Sequence, residues 1–243
     1  MIKRLINKWF YPFNRIFEVV VVSENETYCE NFKNMLCGFF EKKEIRRFGI
    51  EHFEYDGENN FFELIMEDFS AIKFKLICQT LPNGEWHNAV IDGDIFIPVF
   101  CLDKHKDYEY NCLPHEIDSF LGKINQKSKN AIVALMNIEK MYDADFSDIS
   151  HFEKSINKIY RHLCENSTLD KKNTELSDCG HKILTPIIAV FQRHINDNGY
   201  KAHSLCNFFN SDISYGKDEF MCNFLMHLLS FDKLNHYKYI FNS

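Results

Sequence analysis

Three stretches of the chain hold residue types that could do chemistry. The first follows a β-branched run and reads Ser23-Glu24-Asn25-Glu26-Thr27-Tyr28-Cys29-Glu30, with three carboxylates around one thiol. Carboxylates this close repel one another in a partly desolvated site, so the stretch is a poor seat for an anion. The second is Cys101-x3-His105-x6-Cys112-x2-His115, two thiols and two imidazoles within fifteen residues. Zinc favours such ligands in tetrahedral sets, but this spacing matches no known zinc motif, and Cys101 prolongs an apolar run where a small hydrophobe is the simpler reading. No metal and no other cofactor is therefore expected. The third is Cys179-Gly180-His181, which puts a nucleophile and a base close in sequence but in a loop that fixes neither. No GxSxG element accompanies it, so no catalytic residue is assigned.

The elements that must position these residues begin with Phe17-Glu18-Val19-Val20-Val21-Val22, a strand buried on both faces, followed by a helix over Tyr28 to Lys42. Ile50 to Tyr55, a turn at Asp56-Gly57, Phe61 to Met66 and the alternating Ile72 to Cys78 read as antiparallel strands. The second half changes rhythm. Strands at Ile95 to Leu102, Ala131 to Met136 and Tyr200 to Cys206 alternate with helices at Pro114 to Ile124, Ile183 to Ile195 and Asp218 to Phe231. Such alternation implies right-handed crossovers and a mainly parallel α/β sheet with one antiparallel strand pair. Pro98 withholds a ladder N–H and argues against a central place for its strand.

Composition bounds the rest. Of the 243 residues 45% are apolar and 26% charged, which suits one core in a single domain over 17–243, with a helical insertion near 144–180. A net charge of -7 is the wrong sign for covering a phosphate backbone, so nucleic acid is not the expected partner. The nine cysteines never form CxxC and read as small buried hydrophobes of a reducing, cytoplasmic setting. Residues 1–16 form a separate basic amphipathic segment, with Lys3, Arg4, Lys8 and Arg15 beside Trp9, Phe10 and Phe13. Such a face packs on a protein body or, through residues 1–17, makes peripheral contact with an anionic membrane. The abundance of Phe, Asn, Lys and Ile resembles the coding bias of AT-rich bacterial genes.

The order strand, helix, antiparallel strands, then three strands with helices resembles the Ras-like small GTPases from about Phe17 to Phe231. In that family the first strand runs into GxxxxGK[ST], whose glycines, lysine and hydroxyl hold phosphate and magnesium. By that resemblance Ser23 and Tyr28 stand at the glycine positions, Cys29 at the lysine and Glu30 at the hydroxyl. The DxxG motif reads Gln79-Thr80-Leu81-Pro82, followed by Asn83: Gln79 lacks the carboxylate that organises magnesium, and Pro82 lacks the N–H that senses a γ-phosphate. NKxD reads Asn137-Ile138-Glu139-Lys140, so Asn137 is kept while Lys140 replaces the guanine-reading aspartate. Ser204, in His203-Ser204-Leu205-Cys206, has the placement of the serine in the SAK region. The resemblance thus implies a pseudo-GTPase that binds no nucleotide and acts on another protein, such as a true GTPase or an assembly subunit. A divergent nucleotide switch is the alternative function. A receiver-like domain, with Glu24, Glu26 and Asp103 as an acidic site, is the competing fold.

Overall fold

The four consecutive valines Val19 to Val22 are all buried because their strand, β1 (Ile16–Ser23), has a parallel neighbour on each side and a helical layer on each face. This computed structural model describes residues 16–41, 43–67, 71–81, 85–101, 113–127, 130–136, 177–198 and 203–205, together with Met221, Phe224, Leu225 and Leu228. Along the chain β1 is followed by α1 (Glu26–Phe40), β2 (Ile50–Asp56), β3 (Phe61–Met66), β4 (Ala71–Thr80) and β5 (Ile95–Cys101). Then come α2 (Leu113–Gln126), β6 (Asn130–Ala131), β7 (Val133–Met136), α3 (Asp178–Asn198) and β8 (His203–Leu205). One mixed sheet has the order β2-β3-β4-β1-β5-β7-β8, with β6 also beside β5. β3 runs antiparallel to both β2 and β4, and the remaining ladders are parallel.

Side-chain alternation along β1 divides the core in two. Val19 and Val21 face α1 and pack with Phe32, Leu36 and Phe74, while Val20 and Val22 face α2 and α3 and pack with Phe120, Ile187 and Phe191. Met221, Phe224, Leu225 and Leu228 are spaced as one helical face and complete the α1 side. There the Phe224 ring meets Phe32 and Phe74 edge-on, with centroids 6.1 and 5.8 Å apart. Aromatic pairs in this geometry add about 0.5–1.5 kcal/mol beyond their buried area.

Several boundaries differ from those the sequence implies. α1 starts two residues early because Asn25 caps it: the side chain accepts from Thr27 N at 2.9 Å. α3 starts at Asp178 rather than Ile183, since Ser177 Oγ accepts from Gly180 N at 2.8 Å. This places Pro186 inside the helix and Cys179, Gly180 and His181 in its first turn rather than in a loop. The rest of the insertion, the amino-terminal segment before Ile16, and His105, Cys112, Asn83, Asp103, Pro82, Asn137 and Lys140 lie outside the described residues.

The strand holding Pro98 is internal, contrary to the expectation from its missing N–H. Ile132 N donates to Phe96 O at 2.8 Å, so Phe96, and by alternation Pro98, face the β6–β7 side. On the β1 side Pro98 keeps its register partner Val22, and its nitrogen turns toward the β6–β7 side, where the ladder lapses between Phe96 and Val99. Among the described residues no helix is long and apolar enough to cross a membrane.

Candidate functional site

In open α/β sheets ligands gather outside the carboxyl ends of the strands, at the point where strand order reverses. Here that point lies between β1 and β5, because the chain leaves β1 for the β2–β4 side and returns on the other. The residues gathered around it are Ser23 to Glu30, the end of β4 and the first turn of α2.

The connection from β1 to α1 consists of Glu24 and Asn25 alone. It closes on itself. Ser23 Oγ donates to Asn25 O at 2.8 Å, Tyr28 N donates to the same carbonyl at 3.1 Å, and Asn25 Oδ1 takes Thr27 N. Leu81 N donates to Ser23 O at 2.8 Å, which ties the turn to the chain leaving β4. Tyr28 and Cys29 point inward and are 3% and 2% exposed, whereas Glu30 lies outside and pairs with Lys33. A loop this short encircles nothing, and two helix-start N–H groups that could meet an anion, those of Thr27 and Tyr28, are already taken by Asn25.

Cys29 and Cys78 form a disulfide, Cα to Cα 5.9 Å, between α1 and β4. This corrects the reading of every cysteine as a separate buried hydrophobe. The periodicity does bring both residues to one face, since Cys78 continues the row Ile72, Phe74, Leu76 that α1 covers. Among the described side chains Cys37 is a free cysteine, and burial pushes its thiol pKa up.

Next along β4, Gln79 is committed to the backbone. With its amide nitrogen turned toward Val90 O (3.1 Å) and its oxygen toward Val90 N (2.8 Å), it makes both bonds of a strand-like pair. The segment after β4 is held from below as well. Leu81, Trp86, Ala89 and Ile91 are buried, Lys127 Nζ donates to Ile91 O at 3.0 Å, and Lys123 Nζ donates to His87 O.

Across the reversal point, burial pushes the Glu116 carboxyl up to about 7, with a smaller contribution from the charge of Glu24. Two acidic side chains close enough to interact make this place a poor one for an anion. Glu116 was not picked out by sequence reasoning, because nothing in the string relates it to Glu24, ninety-odd residues earlier.

Of the zinc spacing, Cys101 ends β5 beside Met136 of β7, and His115 lies exposed in the first turn of α2. Among the described residues no group of His, Cys, Asp or Glu is arranged to hold a metal. Ser204 sits in β8 opposite Ala134. Sequence reasoning also missed the polar cluster that pins α2 to α3. Asn125 Nδ2 lies 2.8 Å from His194 Nδ1 and His194 Nε2 lies 2.7 Å from Asp118 Oδ1, while Arg193 binds the same oxygen. Burial works to raise the pKa of Asp118, but the hydrogen bonds from Arg193 and His194 outweigh it and hold the carboxyl below its usual range. The ring of His194 is satisfied on both sides, and no nucleophile stands beside it among these contacts. No protein-family model matches the chain. No curated protein matches it either.

Proposed function

We propose that the chain is a non-catalytic, G-domain-like interaction domain, a pseudo-GTPase that works by binding another protein in the cytoplasm. The observation that carries this reading is the self-closed turn Ser23–Asn25. The place of a phosphate loop is taken by a two-residue connection closed by the hydrogen bonds of Ser23 and Asn25. The chain-order and spatial placement of the strands support the Ras-like layout: β1 is central, the antiparallel strands lie to one side and the later parallel strands to the other, with β2 as an added edge. Gln79 bound to Val90 and the anchored segment behind it support the loss of a moving switch. Partner contact falls to the sheet edge or to the insertion at 144–180.

Thermal-shift and calorimetric titrations with GTP, GDP and ATP in the presence of magnesium test the proposal. No stabilisation is expected. A ligand at about 100 times its Kd adds about 2.7 kcal/mol, so a guanine-specific shift of that order overturns the reading in favour of a divergent nucleotide switch.

A further inference from the structure

The two ends of the Cys29–Cys78 bridge meet very different surroundings. Cys29 is 2% exposed, packed in the same cluster as Tyr28 and Phe32, while Cys78 stands exposed at the open end of β4. Of the two ends Cys78 is thus the more open to a thiolate arriving from solvent, and access decides which sulfur is attacked. The bridge also joins elements that do not depend on it. α1 is also held by its Asn25 cap and by the buried Phe32, Met35, Leu36, Phe39 and Phe40, none of which involves the sulfurs. Opening it is therefore expected to free the first turn of α1 from β4 without dismantling the core.

We propose that Cys29–Cys78 is a thiol–disulfide exchange site, reduced by a thioredoxin-like dithiol and re-formed by a disulfide of the same chemical class. In the forward step the thiolate of the dithiol bonds to Cys78 Sγ as the Cys78–Cys29 bond breaks, and Cys29 leaves with the electron pair and takes a proton from water. The second thiol of the reductant, deprotonated, then attacks its own sulfur in the mixed disulfide, and Cys78 leaves as thiolate. The chain gains two electrons, and the dithiol becomes a disulfide. The proposal stands apart from the pseudo-GTPase reading, since it holds whether or not any nucleotide binds.

The test uses the full chain, purified without reductant, equilibrated with oxidised glutathione, quenched by alkylation and digested. Cys29 and Cys78 are expected in one cross-linked peptide. A thioredoxin-like dithiol whose second cysteine is replaced by serine is expected to be trapped on Cys78, and reduction by the intact dithiol is expected to be faster than global unfolding. Alkylated, unlinked Cys29 and Cys78, trapping on Cys29, or reduction only at the rate of unfolding each overturn the proposal. Reduction of the wild type is expected to lower Tm by on the order of 10 °C. The double variant Cys29→Ala with Cys78→Ser should match the reduced wild type and lose its response to dithiol. A double variant that still responds also overturns the assignment, and if that variant does not fold, the peptide map and the trapping experiment decide alone.

Discussion

Glu116 is partly buried and feels the charge of Glu24, and the consequence is a pH dependence with a definite sign. The folded-state value of Glu116, about 7, lies above its ordinary 4.5, so the folded chain binds the extra proton between those limits. Its contribution to stability is complete below about pH 4.5 and is lost as pH rises through about 7. Glu116→Gln is therefore expected to raise Tm by about 2–4 °C at pH 8 and by nothing measurable near pH 4.5, as read by thermal melts of both proteins across that range. An unchanged difference at the two pH values overturns the assignment. Cys29 gives the second residue-scale prediction. Lysine there would set a charge among Tyr28 and Phe32 and remove a bridge spanning 49 residues, which the chain-entropy account values at about 4 kcal/mol. Cys29→Lys should fail to hydrolyse GTP above the buffer rate and should lower the denaturant midpoint by at least the amount the bridge accounts for. Hydrolysis by that variant would show that a lysine alone restores the missing grip.

At the scale of elements, α2 and α3 are joined by Asp118, Asn125 and His194 rather than by apolar contact alone. Asp118→Ala leaves Nε2 of His194, a residue 7% exposed, without its partner, and should cost about 1–3 kcal/mol with the denaturant slope unchanged. In the wild type the stability contributed by the Asp118 carboxylate is present above about pH 4 and lost as pH falls through its lowered pKa, and the variant should lack that loss. Gly93 marks a close approach of another kind, because a Cβ there would stand 2.6 Å from Val20 Cγ2 in the core. Gly93→Ala should be destabilising by about 1–3 kcal/mol, measured by urea denaturation. Much of this architecture was legible in advance, since it rests on local pattern. Four valines in a row announce a strand covered on both faces, and Ile72, Phe74 and Leu76 announce one covered on a single face. What stayed hidden depends on pairs far apart in sequence. Cys29 with Cys78, Glu24 with Glu116, and Asp118 with His194 become neighbours only through register and helix packing, which periodicity does not encode. The place of Pro98 was misjudged for a related reason: the missing N–H matters only on the side where a ladder continues, and the ladder breaks there.

For the whole molecule, the proposed function predicts no nucleotide-driven change of shape in the anchored chain after β4. Hydrogen exchange of residues 85–94 should be the same with and without GTP and magnesium, and slower exchange on nucleotide addition would contradict the proposed function. The central position of β1 has a further consequence, for synthesis. The strand leaves the ribosome before its second neighbour, and Asp94, which binds Glu18 N through Oδ2 at 3.0 Å, lies 76 residues downstream. At about 5–20 residues per second, four hydrophobic β-branched residues in a row wait roughly 4–15 s for their second flank. During that interval β1 presents an uncovered apolar edge to other chains. The charges of Glu18 before it and Glu24 and Glu26 after it bracket the run and keep its ends from joining a neighbouring nascent strand.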